Sequence, residues 1–536
     1  MIRPSLAVVA FAASTAFTPF AALLDAHGSA PHASVGRATY EGAWTDKIAT
    51  FKGVPFAKPP VGALRWKPPE SNDPSGAIKA TNYSAQCMQS DRLHAWTKGI
   101  AKVFGTEDKV GPVTLAKSED CLYLNVWSPK LKGAAPVMVW IHGGSNISGS
   151  GNEALYDGSE LAKRGVVVVS INYRLGMLGF MVHPALVAES PKHAAGNYAM
   201  LDQIEALRWV RQNIAAFGGD PKRVTLFGES AGSIDIVHLM ASPLTKGLFD
   251  RAIGESGSPM ARMPNVQLAS AFGTMFAKSL GVDTTGDVLA QLRAKPAAEL
   301  LAIQDDFAPL VLAAGPVVDG WVFTDMTARV WERGEQANVP MIIGSNAFEM
   351  TTLKAYVPAF PRTVTGYQQW VGRTLGAQTD KVLAIYPVTE DGAVEDATLH
   401  LMTDLFMTCP VRIAARAMQK AGRPTYRYYF TRVMPGGEKL GAYHASEIGY
   451  VFGVKLPWLP TSPADDRLSA TMMGYWTRFA ATGNPNGAGA PAWPAYDGAS
   501  DPYLELGDVV AAHSDLKKDA CDAMDTPLKA QFAGGK

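Results

Sequence analysis

The chain has 536 residues, 47% hydrophobic and 18% charged, enough apolar material for a large buried core. Lys plus Arg and Asp plus Glu both total 49, and no long basic run occurs, so no nucleic-acid partner is expected. Past residue 24 no stretch reaches the roughly 18 unbroken apolar residues of a membrane span, so none is expected in the mature chain.

Residues 1–30 read as an export signal. Arg3 is the only positive charge ahead of an apolar run from Leu6 to Leu24, which Pro19 interrupts. Small residues follow; Gly28-Ser29-Ala30 fits a cleavage site, with Leu24-Asp25-Ala26 as the second choice. A transmembrane anchor is the competing reading, and the proline and the small-residue flank count against it. The expected product is one domain, residues 31–536, secreted or periplasmic. Four cysteines behind such a signal, Cys87, Cys121, Cys409 and Cys521, suggest disulfides. None has the C-x-x-C spacing of a zinc site, and spacing leaves all three pairings open.

Ile48 to Lys52 has strand character, and Gly53-Val54-Pro55-Phe56 turns out of it. From Cys87 to about Lys117 no periodicity stands out, which predicts a long loop. Val137 to Ile141 is a continuous apolar run, as in a strand buried on both faces, and it ends in His142-Gly143-Gly144-Ser145. Val166 to Asn172 is a second such strand. Leu201, Ile204, Leu207, Val210, Ile214 and Phe217 form a helical stripe, which Gly218-Gly219-Asp220-Pro221 stops. Val224 to Phe227 is a strand, and a helix runs from about Ala231 to Met240. Further strands are predicted ending near Ile253 and over Val339–Gly344 and Thr425–Thr431. Residues 260–319 are expected to be mainly helical, and Leu468 to Thr482 a helix. Alternating strands and helices predict an α/β fold with a mostly parallel sheet covered on both faces.

Between strand and helix stands Gly228-Glu229-Ser230-Ala231-Gly232, a G-x-S-x-G pattern in the context of a nucleophile elbow. Such a turn would lift Ser230 above the sheet, over a helix N-terminus whose partial positive charge favours an oxyanion. A base must follow in the chain. His238, His400, His444 and His513 qualify, and His444, in the Gly441–Glu447 loop, is the best placed. Position alone does not decide among them. The candidate acids are Asp319, Glu349 and Asp404; Glu349 lies just past a strand end, and Asp319 has a similar claim. Oxyanion donors are expected from the Ala231 N–H and from the His142–Ser145 loop.

These residues carry a resemblance. Gly53-Val54-Pro55-Phe56-Ala57-Lys58-Pro59-Pro60, Ser118-Glu119-Asp120-Cys121-Leu122-Tyr123-Leu124-Asn125 and Phe217-Gly218-Gly219-Asp220-Pro221 through the elbow match motifs of one family. Thr482-Gly483-Asn484-Pro485-Asn486-Gly487 and Pro491-Ala492-Trp493-Pro494 match its C-terminal pattern. The chain resembles the type B carboxylesterases, the α/β-hydrolase group that includes the cholinesterases, over nearly all of its mature length. The resemblance implies an α/β-hydrolase fold with long loop and helical insertions over the active site. It implies a triad of Ser230, Glu349 and His444, with oxyanion N–H groups at Gly144, Ser145 and Ala231. It places Ser256 and Glu447 as supports behind the triad, and Arg65–Glu119 and Arg174–Asp202 as structural ion pairs. It pairs Cys87 with Cys121 and Cys409 with Cys521.

The implied activity is hydrolysis of a small to medium organic ester through an acyl-enzyme, with no metal and no organic cofactor. The alternatives are a detoxifying esterase for a large ester such as fumonisin and, further off, a non-catalytic adhesion module of the neuroligin kind. The sequence departs from the family at Ser145, where a third glycine is usual, and at Phe348-Glu349-Met350, where Asp-Glu-Gly is usual. A side chain at Ser145 is expected to narrow the mouth of the loop or add a hydroxyl. Gly111 stands where a choline-binding tryptophan would be, so cholinesterase activity is not expected. Activity is expected to rise with pH near the ordinary histidine value of about 6.5.

Overall fold

An eleven-stranded sheet positions everything else. The structure, a computed structural model, describes residues 29–533 apart from 261–262, 284, 307–314 and 358–359. The expected leader therefore lies outside the described residues except for its last two. In chain order the strands are β1 (Ala43–Thr45), β2 (Ile48–Pro55), β3 (Tyr123–Ser128), β4 (Ala135–Ile141), β5 (Val167–Ile171), β6 (Gly219–Glu229), β7 (Arg251–Glu255), β8 (Met341–Asn346), β9 (Thr425–Phe430), β10 (Pro502–Leu506) and β11 (Val510–Ser514). Their spatial order is β11-β10-β9-β8-β7-β6-β4-β5-β3-β2-β1. From β5 through β4 and β6 to β10 every neighbouring pair is parallel, and the outer strands on both sides are antiparallel.

The apolar runs are continuous because both faces are covered. Val137, Val139 and Ile141 of β4 pack into one core with the helix α2 (Tyr198–Asn213) through Leu201, Ile204, Leu207 and Val210. Met138 and Trp140, pointing the other way, pack into a second core with α4 (Pro463–Thr482) through Leu468, Met472, Trp476 and Phe479. This is the two-residue alternation of a strand buried on both sides. Between these helices in sequence, α3 (Ala231–Ala241) follows β6 and packs on the α2 face. The caps agree with the sequence signals. Gly218 stops the α2 segment at φ 82°, and Ser462 and Asp465 form a capping box ahead of α4.

The segment from Cys87 to Lys117 is not a plain loop. It holds helix α1 (Arg92–Val103), whose Trp96 and Ile100 pack with Leu440, Tyr443 and Trp458. The apolar stripe is only those few residues in a polar, lysine-containing stretch, which hides the 3.6-residue period. Cys87 is bonded to Cys121 and Cys409 to Cys521. Beside the first disulfide, Arg65 grips Glu119 with two bonds of 2.7 and 2.6 Å. Arg174 likewise grips the buried Asp202 at 2.8 and 2.7 Å. Among the described residues no helix is long and apolar enough to cross a membrane.

Candidate active site

Strand β6 ends at Glu229, and the next residue, Ser230, has φ 56° and ψ −122°, a conformation that non-glycine residues rarely adopt. The turn is held by the Ser230 N–H to Glu255 O at 2.9 Å and the Ile234 N–H to Ser230 O at 2.9 Å. Glycine is required beside it. A Cβ on Gly232 would sit 2.0 Å from Ile141 O, and one on Gly228 2.6 Å from the same atom. The pattern thus lets two backbones approach so that the serine can stand at the strand tip.

His444 lies in the loop after β9, and its Nδ1 donates to Glu349 Oε2 at 2.6 Å. Glu349 is fully buried just past β8. Its other oxygen accepts from Ser256 Oγ and from the Asn346 N–H, each at 2.7 Å. The carboxylate therefore accepts three hydrogen bonds, which fix one oxygen toward the imidazole. Glu447 makes no hydrogen bond to either residue among the described contacts; it accepts from Asn346 Nδ2, which also donates to Tyr443 O. It supports the loop one residue removed. Burial, then the Glu349 charge, pushes its carboxyl up to about 7.

The remaining ring nitrogen of His444, Nε2, lies 3.1 Å from Glu229 Oε1. Ser230 Oγ lines the same cavity and has no protein partner among the described residues. A loose serine–imidazole contact is common in unliganded sites and tightens around substrate. Burial lowers the His444 pKa, but Glu229 and the hydrogen-bonded Glu349 outweigh it, and the imidazole is pushed up to about 9. That is alkaline of the ordinary value near 6.5 expected from the sequence. Glu229 itself is pushed well up by burial, and the His444 imidazolium beside it works the other way. Glu229 is the contact that sequence reasoning missed, although its place beside Ser230 in the elbow was signal enough.

After β4 the chain runs past the elbow so closely that a Cβ on Gly143 would lie 3.1 Å from Ser230 Cβ. The Gly143 carbonyl faces His142 Nδ1 at 2.8 Å, and the Gly144 carbonyl accepts the N–H groups of Ile147 and Ser148. With the carbonyls turned back, the N–H groups of Gly144 and Ser145 are left over. No acceptor among the described residues takes either of them, or the Ala231 N–H. Ser145 is exposed at the cavity lip with φ 58°.

The rival candidates lie elsewhere. His238 Nδ1 is 2.5 Å from Thr327 Oγ1 in the core, His400 stacks on Phe348, and His513 sits 3.4 Å from Glu505. Asp319 Oδ1 accepts three backbone N–H groups of its own turn, Trp321, Val322 and Phe323. Asp404 accepts the Tyr386 hydroxyl.

Ser230 and His444 face a cavity of about 660 Å³. Its walls include Leu93, Trp96 and Ile100 of the disulfide-closed segment, together with Leu353 and Trp458. Gly111 lies in this lining as well.

The carboxylesterase family model matches residues 35–524. The chain belongs to the carboxylesterase family. It is an enzyme that hydrolyses carboxylic ester bonds. It is 35% identical to a fumonisin B1 esterase of Sphingopyxis macrogoltabida over 84% of this chain and 82% of that one. It is 37% identical to carboxylesterase 4A of Bos taurus, over 86% and 87%. A carboxylesterase of Geobacillus stearothermophilus superposes with a TM-score of 0.81 at 32% identity, covering 92% of this chain and 99% of that one. A PNB esterase superposes at 0.78 and 31%, covering 92% and 100%. The α/β-hydrolase fold of these carboxylesterases is the fold described above.

Proposed function

We propose that this esterase works through an acyl-enzyme on Ser230. Ser230 Oγ attacks the ester carbonyl carbon while its proton passes to His444 Nε2. Glu349 orients the ring and balances the imidazolium. The tetrahedral oxyanion is held by the N–H groups of Gly144, Ser145 and Ala231. The intermediate collapses, and the alcohol leaves with the proton from His444. Water then attacks the acyl carbon, gives a proton to the same nitrogen, and Ser230 departs with that proton restored.

The Glu349–His444 hydrogen bond of 2.6 Å, at the wall of the cavity that contains Ser230, supports this reading most. The cavity volume suits a small to medium organic ester, and the apolar walls suit hydrocarbon parts on either side of the bond. The export signal and the two disulfides support a secreted or periplasmic enzyme, cut near residue 30. The test is Ser230→Ala assayed on esters of varied acyl length and charge. A folded variant should lose at least about a thousandfold in kcat on every ester. Retained turnover would refute the mechanism.

A further inference from the structure

Ser145 and Asn146 are the two central residues of a tight turn that the Ile147 N–H closes onto Gly144 O at 3.1 Å. Both have left-handed backbones, φ 58° and 59°. Neither is glycine, so this turn is uphill and the surroundings must hold it. Ser145 makes no side-chain hydrogen bond among the described residues. Asn146 is buried and anchored twice. Its carbonyl accepts the Gly176 N–H at 2.7 Å, and its Nδ2 donates to Asp235 Oδ1 at 3.0 Å.

Asp235 is fully buried on α3, the helix that begins at the nucleophile elbow. Its second oxygen accepts Gln203 Nε2 of α2 at 2.6 Å. No cation lies within ion-pair distance of it among the described residues, and burial pushes its carboxyl up to about 7. A carboxylate kept there at such desolvation cost has a geometric task. The loop carries two candidate oxyanion donors and α3 carries the third. One hydrogen bond, Asn146 to Asp235, ties the loop to the helix.

We propose that Asp235 and Asn146 are positioning residues of the oxyanion site: their hydrogen bond fixes the N–H groups of Gly144 and Ser145 relative to Ala231. The proposal rests on the acyl-enzyme mechanism above. Misplacing donors by a fraction of an ångström weakens a charge that exists only in the transition state, so kcat suffers and substrate binding does not.

The experiment compares Asn146→Gly, Asp235→Leu, Asp235→Asn and Ser230→Ala. Glycine keeps the left-handed turn and removes only the amide. Asn146→Gly should lose about ten- to a hundredfold in kcat with KM within about threefold. It should lose a similar factor in affinity for a trifluoromethyl ketone that mimics the tetrahedral intermediate. Asp235→Leu should match it, and if that variant fails to fold Asn146→Gly decides alone. Asp235→Asn should recover most of the loss, because Gln203 has an unpartnered buried Oε1 that can turn to meet the new amide. A folded Asn146→Gly with unchanged kcat and ketone affinity would overturn the proposal, as would a loss confined to KM. Turnover by Ser230→Ala would instead overturn the mechanism beneath it, and the two failures are read from different variants.

Discussion

Glu349 lies behind His444 and should be felt in the rate rather than in binding. Glu349→Gln keeps its shape and removes the charge that balances the imidazolium. A comparable triad change costs about four orders of magnitude in kcat, and the longer glutamate side chain leaves room to relax, so at least a hundredfold loss with little change in KM is expected. Asp319→Asn is the control. Asp319 caps its own turn, so turnover there should persist; the reverse outcome would move the acid to Asp319. Glu229 gives a second prediction. Only neutral His444 can take the serine proton, so a raised pKa moves the rising limb of kcat/KM alkaline of the ordinary 6.5. Glu229→Gln removes a charge 3.1 Å from Nε2 and should bring that midpoint down. A midpoint that stays put or climbs would mean that Glu229 does not hold the imidazole charged. Ser230 was legible as the candidate nucleophile from its setting between strand and helix. The choice of His444 among four histidines was not, because chain order restricts the base without measuring distance; the family resemblance carried that step.

At the scale of elements, the elbow was legible because its glycines answer to backbone sterics. Ala is ordinarily the better helix former, yet Gly232→Ala at the start of α3 would set a Cβ 2.0 Å from Ile141 O. It should destabilise by about 1–3 kcal/mol, measured by denaturant unfolding, and lower activity as well. A neutral or stabilising effect would mean that the elbow can relax. Helix α1 escaped notice because it buries so few residues, and its place depends on partners hundreds of positions away, Leu440 and Trp458. The Cys87–Cys121 bond closes this segment over the cavity at a sequence separation of 34. The chain-entropy model gives it about 3–4 kcal/mol. Replacing both cysteines by serine should lower stability by an amount of that order and loosen the cavity wall. Unchanged unfolding would show that Arg65–Glu119 and the helix packing hold the segment without it.

Across the whole molecule, the central parallel strands were legible and the edge was not: the last three of the five residues of β11 are exposed and it carries no apolar alternation, so it reads as a polar tail. Several carboxyls are buried or line the cavity. Burial pushes Glu153, Asp235 and Glu447 up to about 7, and Glu255 well above the carboxylate range. In the unfolded chain these titrate near 4. The contribution of the first three is therefore full below about 4 and is lost as pH climbs through about 7, and that of Glu255 is lost at higher pH. His444 acts in the same direction: its contribution is full below about 6.5 and is lost as pH climbs through about 9. Buried His142 and His238, pushed down to about 4 and about 3, are neutral in both states above about pH 7 and drop out. The thermal midpoint should fall between about pH 7 and pH 9 as His444 and Glu255 lose their protons, whereas a flat or rising midpoint would mean that neither holds its proton above pH 7. Sheet, loops and disulfides converge on one atom, Ser230 Oγ. The most direct test is peptide mass spectrometry after inactivation by an organophosphate. One phosphoryl group per chain, on the peptide containing Ser230, with activity lost in the same proportion, is the expected result. Full inactivation with Ser230 unmodified, or persistent turnover with Ser230 fully labelled, would contradict it.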